Sequence, residues 1–236
     1  MPPAADIAAN LELVRRCIES AARRAGRAAA AITLIAVSKT FGADLVRAAS
    51  EAGQRHFGEN RVQEGLEKAE AVADLDLEWH LIGHLQSNKA RKAAARFTWI
   101  HSIDSVELLK KVDIAAAELG TRPRILIQVD LAHEATKFGA DRADIGGLIA
   151  AALEARAVDL RGLMIVPPIP DDPEQSRPWF RRLRELRDSL VAGGAPADRL
   201  RDLSMGMSQD VEVAIEEGAT MVRVGSAIFG HRPPAA

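Results

Sequence analysis

One lysine among seven stands where an amine nucleophile would be useful. The lysines are at 39, 68, 89, 92, 110, 111 and 137. Only Lys39 directly follows an apolar, β-rich run (Ile32-Thr-Leu-Ile-Ala-Val37), in the stretch Val37-Ser-Lys-Thr40; Lys137 falls in a loop and the others in polar helical stretches. A lysine at the rim of a sheet, partly withdrawn from water, has its pKa lowered and attacks an aldehyde. By position alone a solvated loop lysine is an equally good reading. Asn60, after Phe57-Gly-Glu, and His80, in Trp79-His-Leu-Ile-Gly-His84, can each hydrogen-bond a ligand. Each can equally be a helix cap or a satisfied core group. Near the end of the chain, Leu203-Ser-Met-Gly-Met-Ser208 and Gly225-Ser-Ala-Ile-Phe-Gly230 combine small residues with hydroxyls at apparent helix starts. Small residues let a backbone approach an anion, and N–H groups in such loops point at it. Arg223 lies inside an apolar run, between Val222 and Val224. A guanidinium there needs a carboxylate, such as Glu59, or a ligand acceptor.

These groups must be carried by something, and the hydropathy pattern alternates in a regular way. An N-terminal helix occupies residues 1–30, with Leu11, Val14, Ile18, Ala21 and Ala25 at helical spacing. Eight short β-rich runs follow, at 32–37, 55–57, 78–82, 97–100, 124–130, 160–165, 201–203 and 220–224. Helical stretches separate them, at 43–52, 61–73, 87–96, 105–119, 141–156, 173–192 and 208–217. Alternating β and α predicts parallel strands. Eight repeats in about 200 residues predict an α/β fold, a single (β/α)₈ TIM-type barrel with an extra N-terminal helix. An open doubly wound sheet is the alternative. In a barrel, Lys39 and the two Gly-Ser segments fall at the C-terminal ends of strands one, seven and eight, where active groups and phosphate sites gather. Pro167-Pro168 through Pro173 reads as one βα loop, so residues 1–236 are expected to form one domain.

Composition narrows the partners. The chain has 236 residues with 31 Lys+Arg and 33 Asp+Glu, a net charge of −2, which leaves no broad footprint for nucleic acid. A single cysteine, Cys17, cannot form an internal disulfide, and a cytoplasmic, reducing location is expected. No apolar run approaches the roughly 18–20 residues of a membrane span, and the N-terminus carries no secretory h-region. There is no tyrosine.

Six segments, taken together and in order, resemble the YggS/PROSC family of pyridoxal 5′-phosphate homeostasis proteins. They are Ala36-Val-Ser-Lys-Thr40, Phe57-Gly-Glu-Asn60, Trp79-His-x-Ile-Gly-x-Leu-Gln-x-Asn-Lys89, Leu160-Arg-Gly-Leu-Met164, Leu203-Ser-Met-Gly-Met-Ser208 and Val222-Arg-Val-Gly-Ser-Ala-Ile-Phe-Gly230. The resemblance implies a barrel like the N-terminal domain of alanine racemase, with pyridoxal 5′-phosphate held as an aldimine on Lys39. It implies that Ser204, Gly225 and Ser226 contact the phosphate and that Arg223 approaches the pyridine nitrogen. It also places Asn60 beside the cofactor, with His80 and Met164 lining the pocket. His84 stands where many relatives carry proline, and Ser226 where threonine is frequent.

An arginine opposite the ring nitrogen is a cation and only a donor, so it keeps that nitrogen unprotonated and weakens the electron sink that pyridoxal phosphate supplies. The missing tyrosine, and the second domain on which racemases of this fold depend, point the same way. The expected function is therefore reversible holding and delivery of pyridoxal phosphate within vitamin B6 homeostasis. The expected protein is a monomer serving pyridoxal phosphate-dependent apoenzymes, with no robust catalysis and no metal. Two other readings stand beside it: a single-domain racemase or related lyase, and a phosphate-binding aldolase barrel in which Lys39 attacks a sugar carbonyl.

Overall fold

The first strand shows how the molecule is built. In the computed structural model, which describes residues 4–131 and 138–230, Thr33–Val37 forms β1 and buries Ile35, Ala36 and Val37. Seven more strands follow: β2 His56–Glu59, β3 Glu78–Leu81, β4 Trp99–Ile103, β5 Arg124–Asp130, β6 Asp159–Met164, β7 Asp202–Ser204 and β8 Met221–Val224. Each pairs in parallel with its neighbours in sequence. β8 returns to β1, with Ile35 opposite Arg223, and the ring is complete. This is the (β/α)₈ barrel; the open sheet is excluded because both ends of the strand order are paired. A further two-residue strand, Ala140–Asp141, adds to the end of β5. Lys137 lies outside the described residues.

Alternation along the strands sorts side chains into two compartments. The outward set packs against the helices in one large core that includes Phe57, Leu81, Ile100, Ile125, Leu163 and Leu203. The inward set is small. Ile35, Trp99, Leu126, Met164 and Met221 make its apolar part. The rest of the lumen is polar, and it carries the site described below.

The helices are α1 Ala4–Arg24, α2 Ala43–Glu51, α3 Val62–Ala71, α4 Ala90–Arg96, α5 Val106–Leu119, α6 Ile145–Glu154, α7 Arg177–Ala192, α8 Val211–Glu216 and α9 Ser226–Phe229. Helix α1 buries Ile7, Leu11, Val14, Ile18 and Ala21 along one stripe, which packs on α2, α8 and α9. It stops at Arg24 rather than near residue 30. Gly26 takes φ +65°, and Arg27 N–H donates back to the Ala22 carbonyl at 2.8 Å, the 6→1 bond of a Schellman stop. The thiol of Cys17 faces Glu212 at 3.2 Å; burial first, and then that carboxylate, push its pKa up to about 11, so it stays a thiol.

Two boundaries differ from the sequence expectation in ways that matter. Strand β4 begins at Trp99, because Phe97 N–H closes the end of α4 on the Ala93 carbonyl, and continues to Ile103, which pairs with Ile127 on β5. The longer strand carries His101 into the lumen. Helix α8 begins only at Val211, because Asp210 holds the preceding turn by accepting from Met207 N–H at 2.7 Å.

Between β5 and β6 the register slips, with Ile125 opposite Leu160 and Leu126 opposite Gly162, so Arg161 is an extra residue in a bulge. A Cβ on Gly162 would run into the backbone carbonyl of Asp202 on β7. Gly162→Ala is therefore expected to destabilise the barrel by about 1–3 kcal/mol or more, as overpacked cores do. Gly147→Ala, in α6 with nothing near the added carbon, should be neutral or stabilising. Thermal denaturation of the two variants checks this, and equal midpoints would contradict it.

Candidate functional site

Lys39 leaves β1 on a turn that the sequence alone would not hold. The turn buries Ser38 completely and leaves Lys39 half-buried. Thr40 takes φ +70°, a region costly for a β-branched residue. A charged cluster fixes it. Lys68 Nζ, on α3, donates to the Ser38 carbonyl at 2.6 Å and to Glu59 and Glu64 at 2.7 Å each. The hydroxyl of Ser38 donates to Glu59 Oε1 at 2.6 Å, and Thr40 N–H to Glu64 Oε1 at 2.5 Å. Burial raises the pKa of Glu59, only partly offset by Lys68 and Ser38. In Glu64, burial is outweighed by the donors of Lys68 and Thr40, which hold its carboxyl below the usual range. Glu59 is thus the partner of Lys68 and not of Arg223, contrary to one option read from the sequence.

Arg223 points into the lumen and is 4% exposed. Its Nη1 donates to Ser204 Oγ at 2.7 Å and its Nη2 to the Ile165 carbonyl at 2.8 Å. Among the described residues no carboxylate forms an ion pair with it. Burial lowers its pKa to about 10, with some opposition from Asp210, so it remains a cation at neutral pH. Below it a line of hydrogen bonds crosses the lumen. His101 Nδ1 lies 2.9 Å from Ser204 Oγ, His101 Nε2 3.0 Å from His80 Nδ1, and His80 Nε2 3.1 Å from His56 Nδ1. Burial pulls the pKa of His80 and of His101 well below the ordinary value, helped in His101 by the Arg223 cation, so both are neutral.

The loops after β7 and β8 meet beside this group. Gly206 takes φ +91°, and its carbonyl accepts from Arg223 N–H at 3.0 Å. Ser208 Oγ accepts from Gly225 N–H at 3.3 Å. Ser226 is exposed at the first position of α9. Ala36 pairs with Val224, so Lys39 and Ser226 leave adjacent strands on the same face of the barrel.

The structure brings most of the sequence-derived residues to that face, with differences. Lys39, Gly225 and Ser226 follow the ends of adjacent strands. Asn60 follows β2 and makes no cap to α3; Gly83 lets the β3 loop approach its backbone, where a Cβ would collide. Met164 is buried in the lumen opposite Ser204. Ser204 is fully buried and committed to Arg223 and His101, so it bears on the guanidinium. The hydroxyl shared between the two loops is that of Ser208. His80 is also fully buried, in register with Gly58 and Trp99, two hydrogen bonds removed from Ser204. His84 stacks on Phe138 at 3.7 Å and lies 3.5 Å from Asp104. His101, Ser208 and Lys68 were not singled out from the sequence. His101 shares the strand face of Trp99 two residues on, a signal lost when the strand is ended at Ile100. Lys68 looks like any i,i+4 partner of Glu64 on a solvated helix.

The residues present fit pyridoxal 5′-phosphate on their donor chemistry: a strand-end amine, two hydroxyl-bearing loops, and a buried guanidinium whose side-chain hydrogen bonds among the described residues go to neutral acceptors. His56, Glu78 and His80 bring possible metal-ligating atoms within 4.8 Å of one another. However, Glu78 Oε2 already accepts from Trp99 at 2.9 Å and from the Arg124 guanidinium at 3.1 Å, and a second cation there would be opposed.

Two predictions follow from the buried charges. Lys68→Met leaves Glu59 and the Ser38 carbonyl without their donor, and should cost about 3–5 kcal/mol, read as a lowered denaturation midpoint in urea. The neutral histidines give stability a pH dependence. In the unfolded chain they titrate near the ordinary 6.5. Below that pH the unfolded state binds more protons than the folded one. Their contribution is therefore fully present above about pH 6.5 and is lost as pH falls toward their depressed folded values. The melting temperature should drop between about pH 7 and pH 5; a flat or rising profile would contradict the buried neutral assignment.

Comparison with known proteins bears on the family and the fold. Residues 7–233 match the family described as alanine racemase, N-terminal domain. The chain is 44% identical over 223 residues to a pyridoxal phosphate homeostasis protein of Aquifex aeolicus (strain VF5), covering 94% of this chain and 97% of that one. It is 44% identical over 234 residues to the protein of the same name in Escherichia coli (strain K12), covering 96% and 97%. Among solved structures, PipY of Synechococcus elongatus PCC7942 is 43% identical and covers 95% of this chain and 100% of its own. The TM-score is 0.85 for PipY without pyridoxal phosphate and 0.84 for PipY with it bound. Alanine racemase of Corynebacterium glutamicum, 18% identical, shares the fold at a TM-score of 0.74, covering 99% of this chain and 63% of its own. The chain therefore belongs to the family of alanine racemase N-terminal domains and, within it, stands with the pyridoxal phosphate homeostasis proteins.

Proposed function

We propose that this protein binds pyridoxal 5′-phosphate at the C-terminal mouth of its barrel, covalently through Lys39 as a Schiff base, and holds it for delivery to apoenzymes. The observation that carries this reading is Arg223: a buried cation, donor only, beside a strand-end lysine. When bound, pyridoxal phosphate supplies an electrophilic aldehyde and an electron sink that is strong only when its ring nitrogen is protonated. Arg223 offers that nitrogen an N–H and a positive charge, which disfavour its protonation. The Lys68 cluster fixes the turn from which the Lys39 amine reaches the aldehyde carbon. Ser226 and Ser208, with the backbone at Gly225, are the groups we assign to the phosphate, and Ser204 acts through Arg223. Asn60 and Met164 border the ligand. We place the protein in the cytoplasm, a reading that rests on its single cysteine, and take it to act as a monomer.

The racemase alternative is disfavoured by two observations. Racemisation needs an acid–base group on each face of the substrate carbon. The chain has no tyrosine to serve the second face, and Arg223 opposes the carbanion that removal of the first proton would leave.

Three outcomes test the proposal. Purified protein should show the visible absorbance of an imine, and borohydride should fix the label to the peptide that contains Lys39; label on Lys89 would overturn the assignment. Ser208→Ala and Ser226→Ala should each weaken cofactor retention about tenfold or more, since hydrogen bonds to a charged group contribute about 1.5–3 kcal/mol; unchanged retention in both would place the phosphate elsewhere. The loaded protein should racemise L-alanine negligibly. Turnover in the ordinary enzyme range of about 1–10³ s⁻¹, abolished by Lys39→Ala, would promote the racemase reading.

A further inference from the structure

The lumen beneath Arg223 contains a continuous polar line that ligand binding at the mouth does not use. It runs from Arg223 through Ser204, His101 and His80 to His56, with separations of 2.7, 2.9, 3.0 and 3.1 Å. Ser204, His80 and His101 are fully buried, and His56 is half-buried at the opposite, N-terminal mouth. Such a line has two possible senses, and donor–acceptor accounting chooses between them. Arg223 can only donate, so Ser204 Oγ accepts from it. If His101 also donated to Ser204, the buried serine proton would have no acceptor among the described residues. In the opposite sense every group is satisfied: Ser204 O–H donates to His101 Nδ1, His101 Nε2–H to His80 Nδ1, and His80 Nε2–H to His56 Nδ1. All three imidazoles then carry their proton on Nε2, and the serine oxygen is turned toward the guanidinium.

We propose that His101 and His80 are positioning residues that keep Ser204 an acceptor for Arg223, and that a proton taken up by His56 reverses the whole line. The two arrangements differ by one proton, which comes from solvent on the ligand side. Each relay proton moves one place toward His56: His80 gives its Nε2 proton to His56 Nδ1, His101 its Nε2 proton to His80 Nδ1, and Ser204 its hydroxyl proton to His101 Nδ1, while Ser204 takes the solvent proton. His56 then carries protons on both nitrogens, His80 and His101 carry theirs on Nδ1, and Ser204 accepts from both Arg223 and His101 with its new O–H turned toward the ligand side. The groups that face the relay decide when this happens. Glu78 Oε2 lies 3.9 Å from His56 Nδ1 and favours the proton; burial, foremost, and the Arg124 cation oppose it. The Arg223 cation opposes a charge on His101, and Asp210 is the acid that acts on Arg223. His80 stacks on Trp99, 5.5 Å between centroids, and a flip of its ring would put carbons where its nitrogens bond, so the reversal is a change of tautomer.

The consequence for the ligand rests on the proposed function, in which Arg223 meets pyridoxal phosphate; the relay itself does not. The test therefore has two readouts. Long-range ¹H–¹⁵N correlation on histidine-labelled protein, with and without pyridoxal 5′-phosphate, reads each tautomer. At neutral pH the ligand-free protein should show Nδ1 of His80 and of His101 unprotonated. As His56 titrates on acidification, both should change to Nδ1–H over the same pH range. In His56→Gln they should keep the Nε2–H form throughout that range. Nδ1–H at neutral pH in either ring, or a switch that persists in His56→Gln, overturns the relay. The second readout is retention of pyridoxal phosphate against pH. Wild type should lose retention severalfold across the His56 titration, and His56→Gln should not. Superimposable profiles would overturn the link to Arg223, and failure of both proteins to take up pyridoxal phosphate would sink the proposed function while leaving the tautomer result to stand or fall by itself.

Discussion

A guanidinium buried inside a parallel barrel, without a carboxylate against it, constrains what surrounds it. Removing an ion from water costs several kcal/mol even after relaxation, and only close, well-directed acceptors offset that. Arg223 has two such acceptors, both neutral, the Ser204 hydroxyl and the Ile165 carbonyl, and the charge of Asp210 acts on it from further off. The serine must remain an acceptor, which is why a neutral histidine has to stand behind it. That histidine is neutral because it is buried and because Arg223 is a cation. The charge at the ligand site and the protonation of the lumen are thus one problem with one solution. In the proposed function the same charge suits the site to holding pyridoxal phosphate and opposes a carbanion on it.

The opposite wall of the site solves a different problem. Lys39 must leave β1 at a fixed angle, and the turn that achieves this forces Thr40 into the left-handed region. Strain of that kind persists only where surrounding contacts over-determine the backbone. Here the contacts come from α3, whose Lys68 and Glu64 clasp the turn at Ser38 and Thr40. The turn at Lys39 is therefore held by the second βα unit, and the barrel closure that pairs β1 with β8 brings it level with the loops after β7 and β8.

Much of this was legible in the sequence. The eight β-rich runs and their helices emerged from periodicity, the positions of Lys39 and the two Gly-Ser segments from where the runs ended, and Arg223 from being a charge inside one. What escaped has physical reasons. His101 was lost because the polar pair His101-Ser102 interrupts the apolar run, while the strand continues to Ile103, which pairs with Ile127 on β5 after a register shift that no local pattern records. For Ser204, which the resemblance gives to the phosphate, a hydroxyl at a strand end looks alike whether it faces the mouth or the lumen, and the register with Met164 and Met221 turns it toward Arg223 and His101. Lys68 carried the signature of a solvated i,i+4 pair, while its burial depends on Glu59 from a different element. Helix α1 looked longer because Ala25 and Ala28 to Ala31 are good helix formers, and the Schellman stop at Gly26 overrides them.

The account turns on the protonation state that Arg223 imposes on whatever ring nitrogen it meets. The direct measurement is the ¹⁵N resonance of the pyridine nitrogen in labelled pyridoxal 5′-phosphate bound to the protein at neutral pH. An unprotonated pyridine nitrogen, changing to a protonated one in Arg223→Glu, is the predicted result. A protonated pyridinium in the wild-type protein would contradict the account.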